Sequence, residues 1–538
     1  MAAAAAGSRK DMTTTQPERE AKFEGAGQFD PQDLCTLPAV ARVREEAPEE
    51  LDAVYYDTAD LRLLLDGVTL RHGSGGTDTG WRVELPQETR HMAVPGKAGD
   101  VPGELRRRTA VFTRGRDVVP VAHLRTHRRR HVLLDENGRE LAELTQDTVA
   151  AQTLDGEPAG AAPLHAGGQE GTCTRITQWS EIDVELADGG PELLRAARKQ
   201  LAAAGWRPSG SAHKLQHALT EELRAVEAGS APAGDDRRLR PGSAGAAVMD
   251  RLARQTTALV QADPGTRFDE PDALHRMRSA ARRLRSLLRG QRKVLDRRRT
   301  DPVVRELHWL TGLLAAPRDH EVLAERLPAQ ARRLERRAPE LRPALRGLAE
   351  RIGEQERARH DPAWQAAVEA LDSPRYFALL DALDALLADP PLRPAAAKPA
   401  AKQLRKAAEH DRRRLLKRIA AVENAPEGPA RERALHGVRK AARRARHTAE
   451  TARPVTGKPA RRLLKRTKAL QKLLGEHQDA VVARGALLSL SAAAHRSGAD
   501  TFGYGLLHAE QEAAIADLQQ HFPKAARRAV KRGVSRLH

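Results

Sequence analysis

Aromatic side chains make up only 3% of this 538-residue chain, and that scarcity removes the stacking platforms on which readers of single-stranded nucleic acid depend. Cysteine is nearly absent too. Cys35 and Cys173 are too few and too far apart for a disulfide framework or a zinc knuckle, and read as inert thiols of a reducing cytoplasm. No 18 consecutive apolar residues occur, which excludes a helical membrane span. The opening "MAAAAAGSRKDMTTTQPE" lacks the charged head and long apolar core of a secretory signal. Residues 1–16 therefore read as a disordered tail on a cytoplasmic protein.

What is abundant is positive charge. Lys and Arg outnumber Asp and Glu by 91 to 72, a formal charge of +19, which favours an acidic partner. The length predicts two to four domains. Residues 17–222 carry short alternating runs such as "TQWSEIDVELAD", broken by Gly, Pro and Asp clusters, the pattern of an antiparallel β domain. Residues 223–245, rich in Gly, Ala, Pro and charge, read as a linker. From 246 to 535 nearly everything has helical period.

The helical part repeats itself. "LHRMRSAARRLR" from Leu274 aligns without gaps to "LHGVRKAARRAR" from Leu435, and "LTGLLAAPRDHEV" from Leu310 to "LQKLLGEHQDAVV" from Leu470. Two segments recurring at nearly one offset, on either side of the breaker "LADPPLRPAAAKPAAK", predict two duplicated bundles over about 246–388 and 402–535.

Wound as a helix, the first basic segment puts Leu274, Met277, Ala281, Leu284 and Leu288 on one stripe. His275, Arg278, Arg282 and Arg285 form a second stripe rotated by about 100°, and His436, Arg439, Arg443 and Arg446 repeat it. Charges on a helix are usually a solvated face balanced by acids one turn away. Here the acids are missing: residues 275–299 hold eleven Lys and Arg against Asp296 alone. Two copies of such a stripe predict a basic groove that seats an anion. Arginine can read guanine edges in a major groove, so duplex nucleic acid stays open as a partner, but a base-free polyanion suits the composition better.

These segments, "LHRMRSAARRLRSLL", "LLAAPRDHEVL", "LHGVRKAARRARHTAE" and "LLGEHQDAVVAR", resemble the signatures of the CHAD domain, a duplicated helical domain named for its histidines. The resemblance covers roughly residues 240–535 and implies binding of inorganic polyphosphate, often with association to polyphosphate granules. Carried over by position, the binding residues are His275, Arg278, Arg282, Arg285, His436, Arg439, Lys440, Arg443 and Arg446. Asp319 and Asp479 occupy matching places in the repeat, where they would fix groove arginines by pairing with them.

In the β part, "EREAKF" as a strand places Glu18, Glu20 and Lys22 on one face, and "SEIDVEL" places Glu181, Asp183 and Glu185 on one face. Such strands at both ends of a β domain suit a closed barrel in which first and last strands meet. Facing each other, the carboxylates would repel unless hard divalent cations sat between them. Arg71, Arg125, Arg129 and Lys214 would then line the interior for a phosphate chain.

Those two motifs, in order with "YYDTADLRLLLDGVTLRHGSGGTDTGWRVELP", "LRTHRRRHVLLDENGRELAELTQDTV" and "SAHKLQHAL", resemble the CYTH family of triphosphate tunnel metalloenzymes. The resemblance implies an antiparallel β-tunnel, with Mg²⁺ or Mn²⁺ held by Glu18, Glu20, Asp183 and Glu185. Lys22, Arg71, Arg82, Arg125, Arg129 and Lys214 would hold triphosphate. This chain departs from the pattern in two places: Glu84 stands where the family usually has Lys, and Asp183 where it usually has Glu. An anion in place of a cation beside a triphosphate weakens its binding.

The fold expected is thus α+β and multidomain, an N-terminal antiparallel β-tunnel barrel with flanking helices followed by an all-α domain of two duplicated bundles. The function expected is polyphosphate binding with metal-dependent triphosphatase activity, in the cytoplasm or on polyphosphate granules. The alternatives are a non-enzymatic polyphosphate binder with a degenerate tunnel, and a nucleic-acid binder.

Overall fold

A computed structural model describes residues 19–25, 30–75, 79–86, 92–154, 175–211, 213–229 and 239–530. Glu18, Cys173 and the N-terminal tail lie outside the described residues. The chain divides into two compact units, Met1–Ala231 and Pro232–His538, the first built on an antiparallel sheet and the second helical.

The first unit contains β1 (Glu20–Gly25), β2 (Arg42–Glu45), β3 (Glu49–Asp57), β4 (Thr69–Ser74), β5 (Gly80–Glu84), β6 (Met92–Val94), β7 (Val119–Leu134), β8 (Glu140–Thr153), β9 (Ile176–Leu186) and β10 (Arg207–Pro208). Its helices are α1 (Arg62–Leu65), α2 (Gly103–Thr113), α3 (Pro191–Ala203), α4 (Lys214–Ala218) and α5 (Thr220–Gly229). The last of these extends into the stretch read from sequence as linker. The strands pair in the order β10-β1-β9-β8-β7-β3-β4-β5-β6, with β2 added on β7. The strands expected at the two ends of the domain, β1 and β9, do pair. Among the described residues the ladder is an open path from β10 to β6, so that pairing lies inside the sheet and not across a closing seam.

Alternation decides what each face does. Ala21, Phe23, Ile182, Val184 and Leu186 turn to one face and pack with Leu193, Leu194 and Leu201 of α3 in a buried core. Glu20 and Lys22 take the other face with their cross-strand partners Glu185 and Asp183.

The second unit comprises α6 (Ala244–Arg267), α7 (Ala273–Gly290), α8 (Arg297–Leu313), α9 (Ala315–Arg337), α10 (Arg342–Leu345), α11 (Leu348–Leu371), α12 (Pro374–Ala388), α13 (Ala400–Glu423), α14 (Pro429–Thr456), α15 (Lys458–Arg496) and α16 (Phe502–Val530). The predicted breaker is non-helical between the end of α12 at Ala388 and the start of α13 at Ala400, apart from a short 3₁₀ turn at Pro394–Ala397. The apolar stripe of α7 is buried, with Leu274, Met277, Ala281, Leu284 and Leu288 all at most 3% exposed. The equivalent Leu435, Val438 and Ala442 of α14 are at most 1% exposed.

The repeat is imperfect where proline intervenes. The 39-residue α15 corresponds to α8 and α9 together, which are separated at Leu314. Pro317 lacks an N–H and its ring clashes with the carbonyl four residues back, at Leu313. In the second half His477 holds that place, and the helix runs on.

Candidate functional site

The two basic stripes meet. α7 and α14 pack against each other, and the charge of Arg278 reaches the guanidinium groups of Arg282, Arg439 and Arg443, all three of which are lowered by burial and by neighbouring arginines. Burial first, then the charges of Arg278, Arg439 and Arg285, pulls the Arg282 guanidinium down to about 10. Burial with Arg282, Arg439 and Arg278 pulls Arg443 down to about 9. Both remain cations at neutral pH. Like charges held this close repel one another, and an anion beside them would relieve the repulsion.

The repeat is also legible in the supporting contacts. Arg278 Nη1 donates to Asp319 Oδ1 at 3.2 Å, and the equivalent Arg439 Nη2 stands 3.9 Å from Asp479 Oδ1. Arg285 Nη1 donates to Thr311 Oγ1 at 2.9 Å, and Arg446 Nη1 to Gln471 Oε1 at 3.2 Å. His436 Nδ1 is 2.6 Å from Gln478 Oε1, with its pKa lowered by burial and the neighbouring Lys440, Arg439 and Arg443. His275 is exposed at the end of α7 and is lowered by burial, then by Arg318.

Beside this crossing, α7, α8, α13 and α14 enclose a groove of about 610 Å³. Its lining includes the expected Arg282, Arg285, His436, Lys440 and Arg443. It also includes Arg289, Arg305, His308, Arg414, Arg418, Arg433, Arg444 and His447, which sequence reading missed. The signal for the α13 members was present in "HDRRRLLKR", a basic run that carries no histidine and arginine repeat to mark it. Ten Arg or Lys and three His line the groove, with no Asp, Glu, Phe, Tyr or Trp. His447 lies at its inner wall, where burial and the charges of Arg282, Arg283 and Arg443 hold it down to about 3.

In the sheet unit the predicted residues divide between two faces. Cross-strand pairing puts Glu20, Lys22, Glu181, Asp183, Glu185, Glu143, Asp147, Arg128 and Arg130 on one face. Arg71 and Arg82, directly paired, join it through Tyr55 and Ala122. Arg125 and Arg129 do not. They alternate with Arg128 and Arg130 on β7 and turn to the opposite face, both exposed, with Arg125 3.5 Å from Asp52. The run "HLRTHRRRH" offers arginines of both parities, and only the register selects among them.

Most cations of the acidic face are already engaged. Lys22 Nζ is 3.0 Å from Glu20 Oε1 and 3.7 Å from Asp183 Oδ2. Lys214 Nζ is 2.9 Å from Glu181 Oε1 and also bonds the buried Asp147, which accepts two further bonds from Arg128 at 2.9 and 2.8 Å. Glu84 accepts from Thr69 Oγ1 at 3.1 Å and lies 3.9 Å from Arg71. Burial, with the charges of Glu20 and Glu185, raises the Asp183 carboxyl to about 7 against the pull of Lys22. Its buried Oδ1 has no hydrogen-bond donor. Carboxylate oxygens are the donors a hard divalent cation prefers, but they do not converge here. Among the described residues no group of three or more His, Cys, Asp and Glu stands at ligating distance, and Lys22 occupies the place between the acids.

No helix of the described residues is long and apolar enough to cross a membrane. A family model of the CHAD domain matches residues 250–488. Uncharacterized proteins from two strains of Mycobacterium tuberculosis are each 35% identical to this chain over 511 residues, 93% of this chain and 93% of the relative. Among solved structures, PptA from Streptomyces chartreusis overlays with a TM-score of 0.45 at 24% identity, covering 53% of this chain and 99% of that one. The CHAD domain from the plant Ricinus communis overlays with a TM-score of 0.39 at 27% identity, covering 53% and 92%.

Proposed function

This chain belongs to the family of the two mycobacterial proteins and carries a CHAD domain in its helical unit, and from that premise we propose that it binds inorganic polyphosphate in the groove between α7, α8, α13 and α14. The observation that carries the reading is the lining itself, ten Arg or Lys without one carboxylate or aromatic ring. A polymer of phosphates offers a charge at every repeat and no base to stack, and the groove answers only the charge. Competition tests it. Labelled polyphosphate is titrated onto the full chain and challenged with random duplex DNA at equal phosphate concentration and physiological salt. Polyphosphate should stay bound; displacement by DNA would make the groove a nucleic-acid site.

The same polymer class gives the acidic sheet face a role as a triphosphatase site. Glu20, Asp183 and Glu185, joined by Glu18, would hold Mg²⁺ or Mn²⁺, and Lys22, Arg71 and Arg82 would hold phosphate oxygens. Such an ion, when bound, neutralises charge on bridging phosphate oxygens and lowers the pKa of bound water. Asp183, held partly protonated near neutral pH, would release its proton to solvent when such an ion binds.

A second, non-hydrolytic reading is favoured by the ion pairs of that face. Lys214 is committed to Asp147 and Glu181, Arg71 faces Glu84, and Arg125 and Arg129 point away. Phosphate release from tripolyphosphate with Mg²⁺ or Mn²⁺, compared between wild type and Glu20→Gln, separates the readings. Release that falls at least about 100-fold in the variant supports hydrolysis; equal release from both assigns the chain to binding alone.

A further inference from the structure

A duplicated domain with a pseudo-twofold repeat could offer an anion two equivalent grooves. Arg305 and His308 of α8 recur as Lys465 and Lys468 of α15, at the offset of 160 that relates Leu310 to Leu470, but the rest of the lining is unequal. In the groove described above, Arg289, Arg433 and Lys440 have no ion-pair partner among the described residues, and all three are exposed. Their repeat equivalents, at the offset of 161 that relates Leu274 to Leu435, are Glu450, Asp272 and Ser279. Two cations are thus replaced by acids and one by a neutral side chain.

The flanking helix differs in the same sense. α6 and α13 match through their buried positions, Val248, Leu252 and Leu259 against Leu404, Ala408 and Leu415. That register sets Ala258 and Ala262 opposite Arg414 and Arg418, and Ala262 is only 3% exposed. The stripe residues diverge as well. Arg285 is held by His308 and Thr311, neither of them an acid, so its charge stays available. Its equivalent Arg446 is held by Glu450, which also takes Arg251.

From these differences we infer that the helical domain holds one phosphate polymer on one side only. The five unrepeated cations Arg289, Arg414, Arg418, Arg433 and Lys440 set its affinity. The inference rests on the polyphosphate reading of the groove and adds to it the side and the stoichiometry. Physically, the repeated arginines Arg282 and Arg443 stand where both halves contribute, and the unrepeated cations continue the path in one direction. A polymer laid along the other direction would meet Glu450 and Asp272 and be repelled.

The test uses the full chain and a polyphosphate too short to bridge two molecules, with calorimetric titration across a salt series. Wild type should bind one polymer per chain. Arg414→Gln/Arg418→Gln/Arg433→Gln should lose at least about tenfold in affinity, with the log–log salt slope falling by about 2 for three lost phosphate contacts. Removing the same number of charges from the opposite side, with Arg461→Gln/Lys465→Gln/Lys468→Gln on α15, should change affinity less than about twofold, since those contacts are never made. Circular dichroism establishes that each variant keeps its helical content. Equal losses in the two triple variants, or two polymers per chain, would overturn one-sided binding while leaving polyphosphate binding in place. No binding by wild type would overturn both.

Discussion

At the residue scale the groove crowds like charges together, with Arg444 paired to the buried Asp411 but most of its cations facing no acid, and the cost is visible in its histidine. His447 is held neutral, at about 3, by burial and by Arg282, Arg283, Arg443 and Arg446. Its ordinary value is 6.5, so the folded chain binds fewer protons than the unfolded one. Its contribution to stability is complete above about 6.5 and is lost as the pH falls below that toward about 3, at no more than about 1.4 kcal/mol per pH unit. The Tm of His447→Gln should therefore decline less steeply than wild type between about pH 7 and 4. Identical slopes would mean that the site admits a proton despite its arginines. Glu84 makes the opposite case in the sheet, an acid placed against Arg71. Glu84→Lys should raise tripolyphosphate affinity about tenfold, roughly 1.4 kcal/mol, in equilibrium dialysis. An unchanged affinity would show that the face does not bind that ligand.

At the scale of elements, β7, β8 and α4 are tied through one buried carboxylate. Asp147 is 3% exposed and holds both Arg128 and Lys214. These cations keep its carboxyl below the usual range although burial pushes it up. Asp147→Ala would take a shared buried carboxylate from Arg128 and Lys214, and removing one partner of such a network costs about 3 kcal/mol. Urea unfolding followed in the sheet unit should show that loss, and a change under about 1 kcal/mol would mean the cations find water instead. Helix identity was legible in the sequence here because the apolar stripes of α7 and α14 have a clean period. The break between α8 and α9 was not read, though Pro317 carries it, since proline near a helix start is also compatible with an uninterrupted end.

At the scale of the molecule, two units of different construction share one chain. Polyphosphate at about 100 times its Kd should stabilise the helical unit by about 2.7 kcal/mol. Calorimetry should then show one transition moving and the other staying. A joint shift would place a binding site in both units, and no shift in either would contradict the proposed function.

The amino-acid sequence by itself determined the α+β division, the duplication and the paired His and Arg stripes, because periodicity and recurrence are properties of order along the chain. It also pointed to Glu20, Lys22, Asp183 and Glu185 sharing a face, since each strand is apolar on its other side and burying both apolar sides together selects the register that does so. Tertiary structure decided the rest. Register alone chose Arg128 and Arg130 over Arg125 and Arg129, because a strand carrying cations of both parities cannot say which side will be inside. Packing alone brought Arg305 of α8 and Arg414 and Arg418 of α13 to the groove, because proximity between helices far apart in sequence depends on how their apolar faces stack and not on any pattern within them.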